Sequence, residues 1–222
     1  MPRSAAQYKQ IRKEKRELIL DTALELFAEK GFHTTSIEQI AKKAGISKGL
    51  TYNYFESKNA ILDAILKTGF DAIYAHFDID NDGVLSYNEF EFFIRKSFIA
   101  MTENRSFWKL YFSLMMQPVV TETYINTYAE TSVNLSEMLI RFLTEQGSTD
   151  PMKDILMVSS LVKGAYLILV TSPGFFDENK FTDTILEGFQ RIINHKNNAT
   201  KGDSLHFLLR SVFVQSHFRH KI

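Results

Sequence analysis

The chain has 222 residues, 26 Lys and Arg against 26 Asp and Glu, and no cysteine; that length can bury a core of one or two domains, while disulfides and thiolate metal centres are excluded. The zero net charge hides an asymmetry, because residues 1–60 hold 11 Lys and Arg and 7 Asp and Glu, a basic end suited to phosphate contact. No apolar run approaches the roughly 18–20 residues that cross a bilayer, and the polar N-terminus lacks a secretory apolar segment, so a cytoplasmic protein with no membrane partner is expected.

Leu18, Ile19, Ala23, Leu26 and Phe27 recur at helical spacing within residues 11–30, and Gly31 ends that helix. Thr35 with Glu38 three residues later reads as a capping box for a second helix, whose apolar stripe is Ile37, Ile40 and Ala41. Gly45 stops it, since glycine accepts the left-handed conformation at a helix C-terminus. Ile46 then plugs the core and Ser47 caps a third helix. That helix is too short to be core filler and carries Lys48, Tyr52, Asn53 and Tyr54, with Thr51 turned inward and Gly49 permitting close approach. Two short helices around a sharp turn are the anatomy of a helix-turn-helix, whose second helix enters the major groove.

Ser57 caps a fourth helix expected to run to about residue 77, with Ile61, Leu62, Ile65, Leu66, Phe70, Ile73 and Tyr74 on its apolar face. Further helices are expected at 90–101, 106–116, 122–146, 150–171 and 180–195; the nearly all-apolar 155–170 must be buried on most sides. Residues 197–203 read as a linker, and 204–222 form a mixed tail without evident role. No strand alternation or internal repeat appears, so the expected fold is all-α: an N-terminal three-helix domain over 1–58, a helical regulatory and dimerisation domain over 59–196, and the segment 197–222.

The residues from about 14 to 62 resemble the DNA-binding domain of the TetR family of transcriptional regulators. The matching pieces are Ala23-Leu24-Glu25-Leu26-Phe27-Ala28-Glu29-Lys30-Gly31-Phe32, Thr34-Thr35, Ile40-Ala41, Ala44-Gly45-Ile46-Ser47-Lys48-Gly49, Tyr52, Tyr54-Phe55 and Ser57-Lys58. The resemblance implies DNA contact by Thr34, Thr35, Ser36, Lys48, Gly49, Leu50, Tyr52, Asn53, Tyr54 and Lys58, with Thr34, Ser36 and Lys58 at phosphates. It also implies a homodimer joined through the last two long helices, a duplex operator, and release by a small-molecule ligand. Leu161, Ala165 and Leu169 are the residues expected between protomers.

Residues 78–89 resemble a complete EF-hand calcium loop. Calcium takes oxygen ligands from loop positions 1, 3, 5, 7, 9 and 12, occupied here by Asp78, Asp80, Asp82, the Val84 carbonyl, Ser86 and Glu89, with Gly83 at the sharp turn and Leu85 as apolar plug. The bland alternative is an acidic turn, but three Asp, one Gly and one Glu in fixed places arise by chance at about one in a million for a given start. Ca2+ is therefore the expected cofactor, in either a structural or a sensing role. Phe107, Trp108, Tyr111 and Phe112 are either ligand-pocket lining or core. No nucleophile motif, phosphate loop or dinucleotide fingerprint is present, so no enzyme is expected. The competing reading is a calcium-binding helical interaction protein without operator binding.

Overall fold

A computed structural model describes residues 4–194. Ten helices appear among them: α1 (Ala5–Lys30), α2 (Ile37–Lys43), α3 (Lys48–Tyr52), α4 (Lys58–Tyr74), α5 (Tyr87–Glu103), α6 (Arg105–Met115), α7 (Pro118–Thr127), α8 (Ala129–Glu145), α9 (Pro151–Thr171) and α10 (Glu178–Asn194). No strand occurs among the described residues, and the all-α expectation holds. The linker and tail expected at 197–222 lie outside the described residues.

The N-terminal domain closes around α1. Its second half buries Ile19, Ala23, Leu24, Leu26 and Phe27 against Ile37 and Ile40 of α2, Phe55, and Ile61, Leu62, Ile65 and Leu66 of α4. Leu18, expected on this stripe, is exposed instead. The helix also begins six residues earlier than expected, because Ser4 and Gln7 form a reciprocal capping box. The cap of α2 sits on Ser36 with Gln39 as its partner, not on Thr35 with Glu38. Thr35 is unavailable because its hydroxyl turns back to donate to the carbonyls of Leu26 (3.2 Å) and Gly31 (2.9 Å).

The rest of the chain packs α5, α6, α8, α9 and α10 into a second core. Phe90, Phe142 and Phe189 stack at its centre, and Phe98 meets Tyr166 and Phe181 at one side. α4 joins both halves, since it packs on α1 and on α5. The single helix expected over 122–146 is two helices, α7 and α8, interrupted at Tyr128. Neither Pro nor Gly marks the break; the Tyr128 ring lies flat on Phe70 of α4 (centroids 4.1 Å, 7°). Pro118 opens α7 at its first position, where a missing N–H leaves no bond unmade.

α9 corrects two expectations. It is long and apolar enough to cross a membrane by length and composition, with mean hydropathy 1.6 over its best window; the interruptions by Ser, Gly and Lys163 masked this in an uninterrupted count. Only 33% of that window is buried within the chain. Val158, Val162, Ala165, Tyr166, Leu169 and Val170 face inward, while Leu156, Met157, Leu167 and Ile168 face out. Ala165 and Leu169, expected between protomers, thus belong to the core of one chain, and Leu161 lies half-buried against Gly188 of α10.

Candidate nucleic-acid interface

Local capping sets α3. Gly45 adopts φ +65, and the Ile46 N–H returns to the Ala41 carbonyl (3.0 Å), closing α2. Ser47 then accepts from Leu50 N (3.1 Å) to start α3. Thr51 is fully buried and anchors the helix from below. The same turn leaves Lys48, Gly49, Tyr52 and Asn53 exposed, with no atom near a Cβ built on Gly49. Leu50 and Tyr54 are half-buried, and Tyr54 lies beneath the Arg12 guanidinium (5.7 Å).

Beside this helix runs a groove of about 370 Å³ lined by His33, Thr34, Thr35, Ser36, Ile37, Glu38, Lys48, Tyr52 and Lys58. The structure therefore brings six of the ten expected DNA residues into one concave surface. Ser36 accepts from Gln39 N (3.2 Å) and is exposed. Lys48 pairs loosely with Glu38 (3.7 Å), and both side chains remain more than half exposed. An exposed pair of this kind is worth about 0–1 kcal/mol, a small obstacle to exchanging the carboxylate for a phosphate.

Two expected contacts are placed differently. Thr35 is 1% exposed, and its hydroxyl serves the α1–α2 connection. The Lys58 ammonium donates to the carbonyls of Phe32 (2.7 Å), His33 (3.1 Å) and Thr35 (2.8 Å) and sits 4.5 Å from the Phe32 ring centre. An ammonium has three protons, and all three are taken. Burial lowers its pKa from the usual lysine range. The geometry makes Lys58 a brace for the connection.

The acidic loop brings together three of its four expected carboxylate ligands. Carboxylate oxygens of Asp78, Asp80 and Asp82 lie within 4.8 Å of one another. Gly83 turns at φ +76 and donates to Asp78 Oδ2 (3.2 Å), Val84 N donates to Asp82 Oδ1 (2.7 Å), and Leu85 is buried in the core. Glu89 stands apart from the triplet. Its carboxylate accepts from Ser86 N (3.0 Å), Ser86 Oγ (2.7 Å) and Ile79 N (3.2 Å), bonds that hold its pKa below the ordinary value. The Ser86 hydroxyl in turn caps α5.

Of the four aromatic residues weighed as pocket lining, Trp108 and Tyr111 are buried, and Trp108 donates to the Ala100 carbonyl (2.8 Å). Phe107 and Trp108 border a cleft of about 380 Å³ between α1, α4 and α5; Tyr111 and Phe112 do not.

Together these features define an all-helical protein with a helix-turn-helix domain followed by a helical C-terminal domain. Residues 19–65 match the family described as "Bacterial regulatory proteins, tetR family". The chain is 52% identical over 59 residues to the HTH-type transcriptional regulator YuxN of Bacillus subtilis (strain 168), a match covering 27% of this chain and 20% of that protein. It is 31% identical over 111 residues to the HTH-type transcriptional repressor KstR2 of Rhodococcus jostii (strain RHA1), covering 50% of this chain and 54% of that protein. These matches thus span a fifth to about half of the relatives' lengths. Among solved structures, a TetR-like transcriptional regulator from Rhodococcus sp. RHA1 superposes with TM-score 0.58 at 19% identity, over 86% of this chain and 97% of the other. NalD, the secondary repressor of the MexAB-OprM multidrug efflux pump in Pseudomonas aeruginosa, gives 0.54 at 19% identity over 82% and 96%. The N-terminal domain is TetR-like, and the helical C-terminal domain has the fold of TetR structures. The family and these relatives are transcriptional regulators, not enzymes.

Proposed function

We propose that the protein is a sequence-specific transcriptional regulator of repressor type, binding a duplex operator as a homodimer and released by a small-molecule ligand. The observation that carries this reading is the solvent-facing α3, with Lys48, Gly49, Tyr52 and Asn53 presented beside Ser36 on a rigidly capped frame. Base edges read by α3 would set specificity, and contacts from Thr34 and Ser36 would set register on the phosphates. The repressor names of KstR2 and NalD support the sign. A cytoplasmic location follows from the reading, since an operator is intracellular DNA. The test is enrichment of duplexes from a random-sequence pool by the full chain; recovery of no sequence would leave the calcium-binding interaction protein as the better reading.

Two half-sites one helical turn apart call for two protomers. The outward stripe of α9 fits a second copy of the same helix, because Leu156, Met157, Leu167 and Ile168 flank Gly164, where a Cβ would meet nothing. A two-fold interface counts each change twice. Leu167→Glu with Ile168→Glu should therefore give a helical monomer in sedimentation at micromolar concentration, where the unaltered chain sediments as a dimer. A monomeric unaltered chain at that concentration would reject the assembly.

A second reading concerns the loop at residues 78–89, favoured by one observation. Asp78 Oδ1 is enclosed, has no hydrogen-bond partner, and belongs to the carboxylate triplet. An orphaned buried acceptor among like charges is costly without a cation. Hard oxygen donors of this kind fit Ca2+: Asp78, Asp80 and Asp82 would hold it, joined by the Val84 carbonyl, Ser86 through water, and Glu89 once its carboxylate leaves Ser86 and Ile79. Bound calcium would supply only charge neutralisation and a fixed bend between α4 and α5. Titration calorimetry should show one site per chain, lost in Glu89→Gln; absence of both heat and thermal stabilisation at millimolar calcium would exclude it. Binding that leaves operator affinity unchanged would assign calcium a structural role.

A further inference from the structure

Gln117 occupies the N-cap position of α7 yet makes no capping bond to its own helix. Pro118 follows it, and a residue before proline is pushed out of the helical region; Gln117 accordingly is extended, at φ −80 and ψ 126. That conformation ends the path of α6 and sends the side chain across to the DNA-binding domain, about 90 residues away in sequence. There its Nε2 donates to the Phe27 carbonyl (2.6 Å), and its Oε1 accepts from the Phe32 N–H (2.8 Å). Only this orientation of the amide satisfies both partners.

The two groups it joins are the ends of one turn. The Phe27 carbonyl also receives the N–H of Gly31, the C-cap of α1 (3.1 Å), and Phe32 is the first residue beyond that cap. The Phe32 residue is gripped from both sides, because Lys58 of α4 takes its carbonyl while Gln117 takes its N–H. Phe32 itself is buried edge-on against Phe27 (5.1 Å). Two and four residues further on stand Thr34 and Ser36, at the mouth of the groove beside α3. A buried N–H deprived of its acceptor is expensive to leave unmade, so the connection has little freedom while Gln117 stays in place.

We propose that Gln117 is a positioning residue for the DNA interface: its amide holds the α1–α2 connection in the register that presents Thr34 and Ser36 to phosphate. Movement of the α6–α7 corner is then transmitted to operator affinity directly through the end of α1. The corner also meets α4, since Tyr111 of α6 donates to the Leu66 carbonyl (3.3 Å) and Tyr124 and Tyr128 beyond it pack with Phe70. This inference rests on the operator-binding reading.

The test uses the full chain, a labelled duplex enriched by the unaltered protein from a random-sequence pool, and Gln117→Leu, which keeps the volume and removes both bonds. The Phe32 amide should exchange with solvent about tenfold faster or more. Duplex affinity should fall about fivefold or more, the scale of coupling between linked sites. Phosphate-ethylation interference should lose one or more of the positions seen with the unaltered protein, an outcome that loss of stability alone would not produce. If Gln117→Leu does not fold, Gln117→Glu keeps the acceptor for Phe32 N–H and loses the donor to Phe27; it is read by duplex affinity and the interference pattern, with Phe32 exchange unchanged. Affinity within twofold of the unaltered chain, or weaker binding with the same interference pattern, overturns the positioning role while leaving operator binding intact. Failure of the unaltered chain to enrich any duplex overturns both.

Discussion

Replacing Lys48 and Tyr52 together by alanine should abolish tight operator binding while leaving the fold in place. Each lost contact at a base edge or phosphate is worth about 1–3 kcal/mol, and a two-fold dimer loses each contact at both half-sites. Folding stability should hardly change. The Lys48 side chain is 56% exposed and its pair with Glu38 is loose, and Tyr52 is 47% exposed; substitutions at such positions stay within about 0.5 kcal/mol. Anisotropy with the enriched duplex measures the first quantity and urea unfolding the second. If the double variant binds as tightly as the unaltered chain, α3 is not the recognition helix. Lys58→Ala should behave in the opposite way. Its three carbonyl partners lie in the α1–α2 connection, so its removal loosens that connection, and any loss of binding comes through positioning.

Gly69→Ala should destabilise the protein although it adds a methyl to the interior of a helix. A Cβ at Gly69 would lie 2.3 Å from Tyr111 Cε2 and Cζ and 2.7 Å from its hydroxyl. Tyr111 cannot swing aside cheaply, because it is 3% exposed and its ring is held among Phe107, Trp108 and Phe112. Overpacking of this kind costs about 1–3 kcal/mol, and the bond from Tyr111 to the Leu66 carbonyl would be strained as well. The better helix propensity of alanine offsets up to about 1 kcal/mol, so a net loss of about 1–2 kcal/mol is expected in the urea midpoint. Gly49→Ala is the contrast, since nothing surrounds that position; the same propensity gain should appear there undiminished. Equal stability of Gly69→Ala and the unaltered chain would mean that α4 and α6 separate more easily than their packing indicates.

What could be read from the sequence was whatever is set within about four residues. Ser47 and Ser57 cap helices where their hydroxyls were expected to, Gly45 takes the left-handed turn, and Asp150 starts α9. Thr51 packs inward, as its place in the motif implies. These contacts close locally, so residue type and spacing suffice, and the all-helical architecture with its helix-turn-helix follows from them. The tertiary structure decided everything that depends on a distant partner. Residue type alone does not tell whether a lysine at position 58 reaches phosphate or three carbonyls 23 to 26 residues away, or whether a threonine at 35 caps one helix or closes another. The break at Tyr128 answers to a ring 58 positions earlier in the chain, and the outward face of α9 is only the remainder once α5, α6, α8 and α10 have taken their sides. Gln117 carried no signal at all, because an amide before a proline acquires its meaning only when folding brings the end of α1 within hydrogen-bond reach.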